Sequence, residues 1–427
     1  MKIVRKIVFW CHLAVGALVA SVVVLMSATG VLLTYQKQMQ NWADTRGLAS
    51  GALSANAPRL SADSLLVRVQ ASTHVAPTAI LVRADADAPV EVSVGRDRKA
   101  FVNAYTGVVL GEGSQGTRDF FRSVTAWHRT IGATGDRRAI GRSVTGFANA
   151  GFFFIVVSGL FLWWPRTWTR ARLRNIAAFR RGTSGKARDF NWHNTIGVWS
   201  FVPLVAIVGS GVVMSYPWAN ALVYRVMGEQ VPQQGAPTAA EGRGGGRGAP
   251  GRAGEGQGGP EDRPGGRAEA RATGADVART PMAALSIDST LAIGAAKMPD
   301  WRAISIQLPP SSAKTVTASL DGGTGGQPQL RASLVIDRAT GAVSRWEPFS
   351  SQTPGRRLRS ILRFAHTGEV LGVTGQTIAG LVSLGSLILA WTGIALALRR
   401  FVTWRRRVAR LVVVPRRVPV RELDPTS

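Results

Sequence analysis

The chain carries five histidines, and four of them fall at places that repeat along the sequence. Aligning the apolar stretch at 9–35 with that at 192–217 sets His12 over His193, Gly16 over Gly197, Gly30 over Gly211 and Tyr35 over Tyr216 without a gap. A looser alignment sets Gly141 over Gly375 and Gly159 over Gly393, with His128 and His366 ahead of them at spacings that differ by four residues. The fifth, His74, has no counterpart and reads as a surface residue. A neutral imidazole offers a ring-nitrogen lone pair to a metal, and two facing imidazoles suit the two axial positions of a haem iron. Zinc is the competing reading; it wants three or four protein ligands, and the nearby candidates for a third are Cys11 and Glu369. The single cysteine excludes an internal disulfide, a thiolate zinc or iron–sulfur cluster and covalent haem attachment through C-x-x-C-H. Non-covalent b-type haem is the redox cofactor that remains, one for each histidine pair.

Glycine spacing adds a second signal. His12 and Gly30 are 18 residues apart, as are His193 and Gly211, Gly141 and Gly159, and Gly375 and Gly393. Eighteen residues make five helical turns, so each pair shares one face of a helix near its two ends. Gly16 and Gly197 follow their histidines by four residues, one turn along the same face, where a missing side chain leaves room for a flat ring. Gly132 follows His128 at the same offset, whereas His366 has Gly368 and Gly372 instead. Close helix packing accounts for any one such glycine; it does not account for histidines in register. Gly16, Gly30, Gly197 and Gly211 are therefore expected to face the cofactor along with His12, His128, His193 and His366.

The elements that must position these residues are set by composition. The 427 residues are 45% hydrophobic and 18% charged, an unusual balance for a soluble protein. Four apolar runs, at 9–35, 142–164, 192–217 and 376–398, are long enough to cross a bilayer. The first resembles a signal peptide in its basic lead, but its length and the lack of a small-residue cleavage site point to a retained span. Formal charge is +27, and 20 basic residues crowd the N-terminus, 166–188 and 399–421. That excess flanks the spans, which places both termini in the cytoplasm and assigns the charge to topology and anionic lipid rather than to nucleic acid.

The chain divides into a first span at 1–35, an outer module at 36–120, and a histidine-bearing segment with the second span at 121–165. A basic cytoplasmic loop (166–190) leads to the third span at 191–217 and a second outer module at 218–355. A histidine-bearing segment with the fourth span (356–398) and a basic tail (399–427) complete it. Each outer module reads as a small α+β unit: a helix at 62–71 with strands at 79–83, 90–94 and 99–110, then a helix at 283–295 with strands at 302–308, 315–320 and 331–346. Both finish with a strand–turn–strand, Asn103, Thr106, Gly107 and Val109 matching Asp337, Thr340, Gly341 and Val343. Residues 229–280, rich in Gly, Arg and Pro, read as a disordered insertion; its G-x-G-x-x-G matches lack a strand before and a helix after, so no nucleotide loop is inferred. The fold class is thus an α-helical integral membrane protein of four spans, a duplicated two-span unit carrying two extracytoplasmic α+β modules.

W-C-H in the first span, S-A-T-G at its end, W-H-R-T-I-G before the second, S-G-L-F-L-W-W-P-R closing it, W-H-N-T-I-G opening the third and H-T-G-E-V-L-G before the fourth together resemble the PepSY-associated transmembrane family. The resemblance covers the chain apart from 229–280 and the extreme tail. It implies PepSY-like outer modules, His12, His128, His193 and His366 at the family's histidine positions, and a bacterial inner-membrane protein similar to reductases of ferric siderophores that hold two b haems between four helices. Some relatives add a cytoplasmic flavin and nicotinamide module. This chain ends about 30 residues after the fourth span, so no such site is expected here, and electrons come from membrane quinol or a separate cytoplasmic reductase. Arg129 and Arg363 on the outer side, and Arg5 or Lys6 inside, are candidate propionate partners. The rival expectation is a haem-free membrane anchor whose modules bind or inhibit periplasmic peptidases.

Overall fold

The computed structural model describes residues 2–48, 58–95, 98–165, 177–232, 285–310 and 312–413, with positions 167, 169, 170 and 174. In chain order its principal helices are α1 (Lys2–Leu33), α2 (Gln36–Thr45), α3 (Ala62–Thr73), α4 (Gln115–Thr130), α5 (Arg137–Trp163), α6 (Gly185–Ser215), α7 (Pro217–Val226), α8 (Ile287–Lys297), α9 (Pro354–His366) and α10 (Gly372–Val413). Of these, α1, α5, α6 and α10 are long and apolar enough to cross a membrane, and the protein is a multi-pass membrane protein. Two of them outrun the hydropathy signal: α6 begins seven residues before 192, and α10 runs past 398 to Val413. Apolar windows stop at charge, but Lys and Arg are good helix formers and the backbone ladder continues through them.

The four long helices close into a ring. α1 packs on α5 and α10, and α6 packs on the same two, so α1 faces α6 across one diagonal and α5 faces α10 across the other. α4 lies against α1 and α5, and α9 against α6 and α7, all at the end where α1 finishes and α10 starts.

At that end the strands of the two α+β modules join. Strands β1 (Pro77–Arg83), β2 (Val90–Val94), β3 (Arg98–Val102), β4 (Val109–Gly111), β5 (Ala303–Gln307), β6 (Thr315–Asp321), β7 (Arg331–Asp337) and β8 (Val343–Pro348) form one antiparallel sheet of order β4-β3-β2-β1-β5-β6-β7-β8. The join is β1 on β5, with Leu81 opposite Ser305, which satisfies two edges that would otherwise be open templates for pairing. One face buries Ile80, Val92, Ile304, Ala318 and Leu334 under α3 and α8 in a single apolar core. The expected strand–turn–strand closes each module: Asn103 Oδ1 accepts from the Tyr105 and Thr106 amides, and Asp337 Oδ1 does the same for Ala339 and Thr340. Gly107 and Gly341 close the two turns with φ of +71° and +70°.

The duplication is explicit where α3 meets α8. Asp288 accepts from the Ala62 and Asp63 amides, and Asp63 accepts from the Ile287 and Asp288 amides. Each carboxylate thus caps the other module's helix, as helix N-termini favour; burial, and then the neighbouring Asp288, hold the Asp63 carboxyl above the usual carboxylate range. The insertion expected at 229–280 lies, from residue 233 on, outside the described residues. Its first residue is ordered by contacts: Glu229 accepts from the Gly355 amide at 2.8 Å and the Thr353 hydroxyl at 2.7 Å, anchoring the start of α9.

Asp44 anchors the start of α4 in the same way. It pairs with Arg118 and accepts from the Ser114 amide, with Asp44 4% and Arg118 9% exposed. Removing one partner of a buried pair strands the other charge. Asp44→Ala is expected to destabilise the protein by about 3–5 kcal/mol, read as a fall in unfolding temperature in detergent; a change no larger than that of Asp119→Ala, at an exposed pair, would count against this anchor.

Candidate functional site

α4 and α9 present their histidines near their C-terminal ends. His128 and His366 stand with ring centroids 6.2 Å apart and planes at 64°. One metal ion between two imidazole nitrogens, at about 2 Å from each, sets ring centres about 6 Å apart. At the other end of the bundle His12 on α1 and His193 on α6 lie on diagonal helices, close enough to feel each other's charge. The levels differ by the 17 residues from His12 to Thr29 on α1 and from His193 to Ser210 on α6, about 25 Å at 1.5 Å per residue, so one pair sits toward each face of a bilayer core about 30 Å thick.

All four rings are held through Nδ1, each by a different neighbour. His128 Nδ1 lies 2.9 Å from Thr29 Oγ1, His12 Nδ1 2.9 Å from Ser158 Oγ, and His193 Nδ1 3.0 Å from Thr392 Oγ1. His366 Nδ1 donates to the Ile207 carbonyl at 2.7 Å, with Ser210 Oγ at 3.4 Å. Thr29 and Ser210 are equivalent positions of α1 and α6, and Ser158 and Thr392 are equivalent positions of α5 and α10. These hydroxyls escaped the sequence reading, although each immediately precedes a glycine it had marked: Gly30, Gly211, Gly159 and Gly393.

Those glycines seat the rings. A Cβ on Gly159 would lie 3.4 Å from His12 Cε1, one on Gly393 3.5 Å from His193 Cε1, and one on Gly30 3.8 Å from His128 Cε1. Gly211 differs: its space is taken by Asn149, whose amide would lie 2.8 Å from a Cβ there and which donates to the Val208 carbonyl. Gly16 and Gly197 face almost nothing, a Cβ meeting only Ile155 Cδ1 at 3.9 Å and Leu389 Cδ2 at 3.8 Å. Gly132 does not face His128, because α4 ends at Thr130; it sits at φ +70° over the Trp127 indole.

The flanking candidates sort themselves by their contacts. Arg129 is within electrostatic reach of both His128 and His366. Arg363, one turn before His366, stacks on Phe364 and lies near Arg331 of the sheet. Arg5 instead donates to the Leu162 and Trp164 carbonyls at the end of α5. Glu369 is bound to Lys37 at 2.6 Å, Cys11 is exposed, and among the described residues no three His, Cys, Asp or Glu side chains converge on a point. That arrangement fits paired axial ligation better than a zinc centre, so the donor set suits haem.

The sheet turns its polar face to this end. Glu91, Leu81, Ser305, Ser319, Ser333 and Glu347 form one row across six strands. On the same face Arg83 donates to Asn41 of α2, and Arg331 reaches toward Arg363 and Glu369. Ser333 Oγ, Arg83 Nη1 and Arg359 Nη1 are buried without a hydrogen-bond partner.

A family model described as the PepSY-associated TM region matches residues 9–410. None of the curated proteins compared with the chain matches it.

Proposed function

We propose that this chain, which belongs to the PepSY-associated transmembrane family, is a two-haem electron carrier that reduces an acceptor on the outer side of a bacterial inner membrane. His128 with His366 would hold one non-covalent b haem and His12 with His193 the other. Haem iron, when bound, supplies one-electron chemistry whose potential is set by its axial ligands and their hydrogen bonds. The chain's own residues orient the imidazoles, keep the sites within the helix ring and place Arg129 beside the sheet-side pair for propionate charge.

The basic residues near the opposite end put that end in the cytoplasm, where membrane quinol or a separate reductase would be the donor. The sheet then faces outward and shields its polar row over the sheet-side pair. Arg363 and the unpartnered Arg359 nitrogen there, beside Arg331 and Arg83 in their pairs with Asp321 and Glu91, suit an anionic, oxygen-rich acceptor, and a ferric chelate such as a ferric siderophore is the substrate class we favour. The observation that carries the reading is the 6.2 Å approach of His128 and His366, with His12 and His193 on the diagonal helices α1 and α6 toward the opposite end. Haem quantitation on detergent-purified protein tests it: about two b haems per chain, with a bis-imidazole spectrum, are expected. A colourless protein despite haem supply overturns it and favours a haem-free anchor that binds peptidases.

A further inference from the structure

We propose that Thr29, Ser158 and Thr392, with Ser210 in a lesser part, are positioning residues that lock the four imidazoles as the tautomer protonated on Nδ1, leaving the Nε2 lone pair for a metal. Proton accounting at each hydroxyl carries the argument. A Ser or Thr hydroxyl has one proton and two lone pairs. Thr29 Oγ1 gives its proton to the Leu25 carbonyl at 2.7 Å, Thr392 Oγ1 to Ile388 at 2.7 Å and Ser210 Oγ to Ile207 at 2.8 Å; Ser158 Oγ stands 3.3 Å from the Ile155 carbonyl, farther than its 2.9 Å to His12 Nδ1, and its assignment follows from its equivalence to Thr392. With that proton spent on its own helix, the hydroxyl can only accept, and the ring nitrogen beside it must donate. The nitrogen in that position is Nδ1 at every site. The opposite tautomer would set a bare Nδ1 lone pair against a lone pair of its neighbour and move the proton to Nε2, away from that acceptor.

Orientation follows from the same contacts. The hydroxyl fixes one edge of the ring, and the glycine after it receives the Cε1 edge at the three sites where that space is open, so a Ser/Thr-Gly dipeptide on one helix seats a histidine from another. The pattern recurs at 29–30, 158–159, 210–211 and 392–393. Backbone carbonyls share the work: those of Met26 and Leu389 lie within hydrogen-bonding reach of His128 and His193, and at His366 the carbonyl takes the larger part. His366 Nδ1 already donates to a backbone carbonyl at 2.7 Å, which can only accept, while Ser210 stands off at 3.4 Å. Ser210 should therefore matter least of the four.

The tautomer assignment stands on hydrogen bonds alone; its use in ligation rests on the two-haem reading, and two measurements keep the failures apart. In haem-free protein labelled with 15N-histidine, NMR should show the Nδ1-protonated form for four histidines, and Ser158→Ala should move one of them toward a tautomer mixture while Ser158→Thr, which copies Thr392, restores it. Predominant Nε2 protonation in the wild type overturns the proposal whatever the haem content. In haem-loaded protein, Ser158→Ala, Thr392→Ala and Thr29→Ala should each weaken retention of one haem by about 10- to 100-fold, read as transfer to a haem scavenger, with Ser158→Thr near wild type and Ser210→Ala the smallest change. Equal retention in all four alanine variants overturns the positioning role. If the wild type binds no haem, the two-haem reading fails while the tautomer result stands.

Discussion

His366→Ala is expected to cut the haem content of the purified protein by about one per chain and to abolish reduction of the outer acceptor, with the haem at the opposite end retained. The effect is large because one imidazole of a facing pair is removed outright, and nothing nearby replaces it. Glu369, three residues on, is committed to Lys37, whose ammonium also donates to the Gly325 carbonyl at 2.9 Å. His128→Ala should give the same phenotype, and the double variant should lose no more haem than either single one, since residues that act as a unit are not additive. His12→Ala and His193→Ala should form a second matched set that spares the sheet-side haem. The pairing is what is at stake. If His12→Ala and His128→Ala behaved as one set, ligation would follow the sequence order of the spans rather than the two ends of the bundle.

Repetition in the sequence reports what single residues do not. Apolar runs locate the four long helices, and histidines in register between 9–35 and 192–217 point to paired sites. The sheet was less accessible. Strand periodicity gives the elements of each module, but it carries no information about which edge meets which, and β1 finds β5 more than 200 residues away. Helix ends decided other errors. Gly132 lies one turn after His128 only if α4 continues, and α4 stops at Thr130. Gly211 occupies the register position of Gly30, yet Asn149 fills its space, so equivalent glycines have taken different tenants. The hydroxyls of Thr29, Ser158, Ser210 and Thr392 gave no signal of their own because Ser and Thr within long helices ordinarily bond back to the preceding turn. They do so here as well, and it is that ordinary bond which turns their lone pairs toward the histidines.

Two substitutions of the same chemistry should have opposite consequences, and the contrast separates glycines the chain needs from glycines a ligand needs. A Cβ at Gly375 would overlap the Gly368 carbonyl oxygen and lie 2.8 Å from Leu371 Cβ; at Gly141 it would overlap the Thr130 carbonyl, with its carbon at 2.8 Å. Both obstacles are backbone at the end of a histidine-bearing segment, so they cannot swing aside. Gly375→Ala is expected to destabilise even the haem-free protein by roughly 1–3 kcal/mol and, by pushing the turn after α9, to weaken the sheet-side haem. A Cβ at Gly16 meets one flexible methyl at 3.9 Å, and alanine gains up to about 1 kcal/mol of helix propensity over glycine. Gly16→Ala should therefore leave the haem-free protein as stable as wild type or more so. If the open space one turn from His12 receives the edge of a porphyrin, the same variant should bind the opposite-end haem more weakly, and Gly16→Leu should exclude it while the sheet-side haem remains. Unfolding curves on haem-free protein and haem retention on loaded protein give the two readouts. Full retention of both haems in Gly16→Leu would reduce the glycine repeat to helix packing and leave the histidine pairs to carry the reading alone.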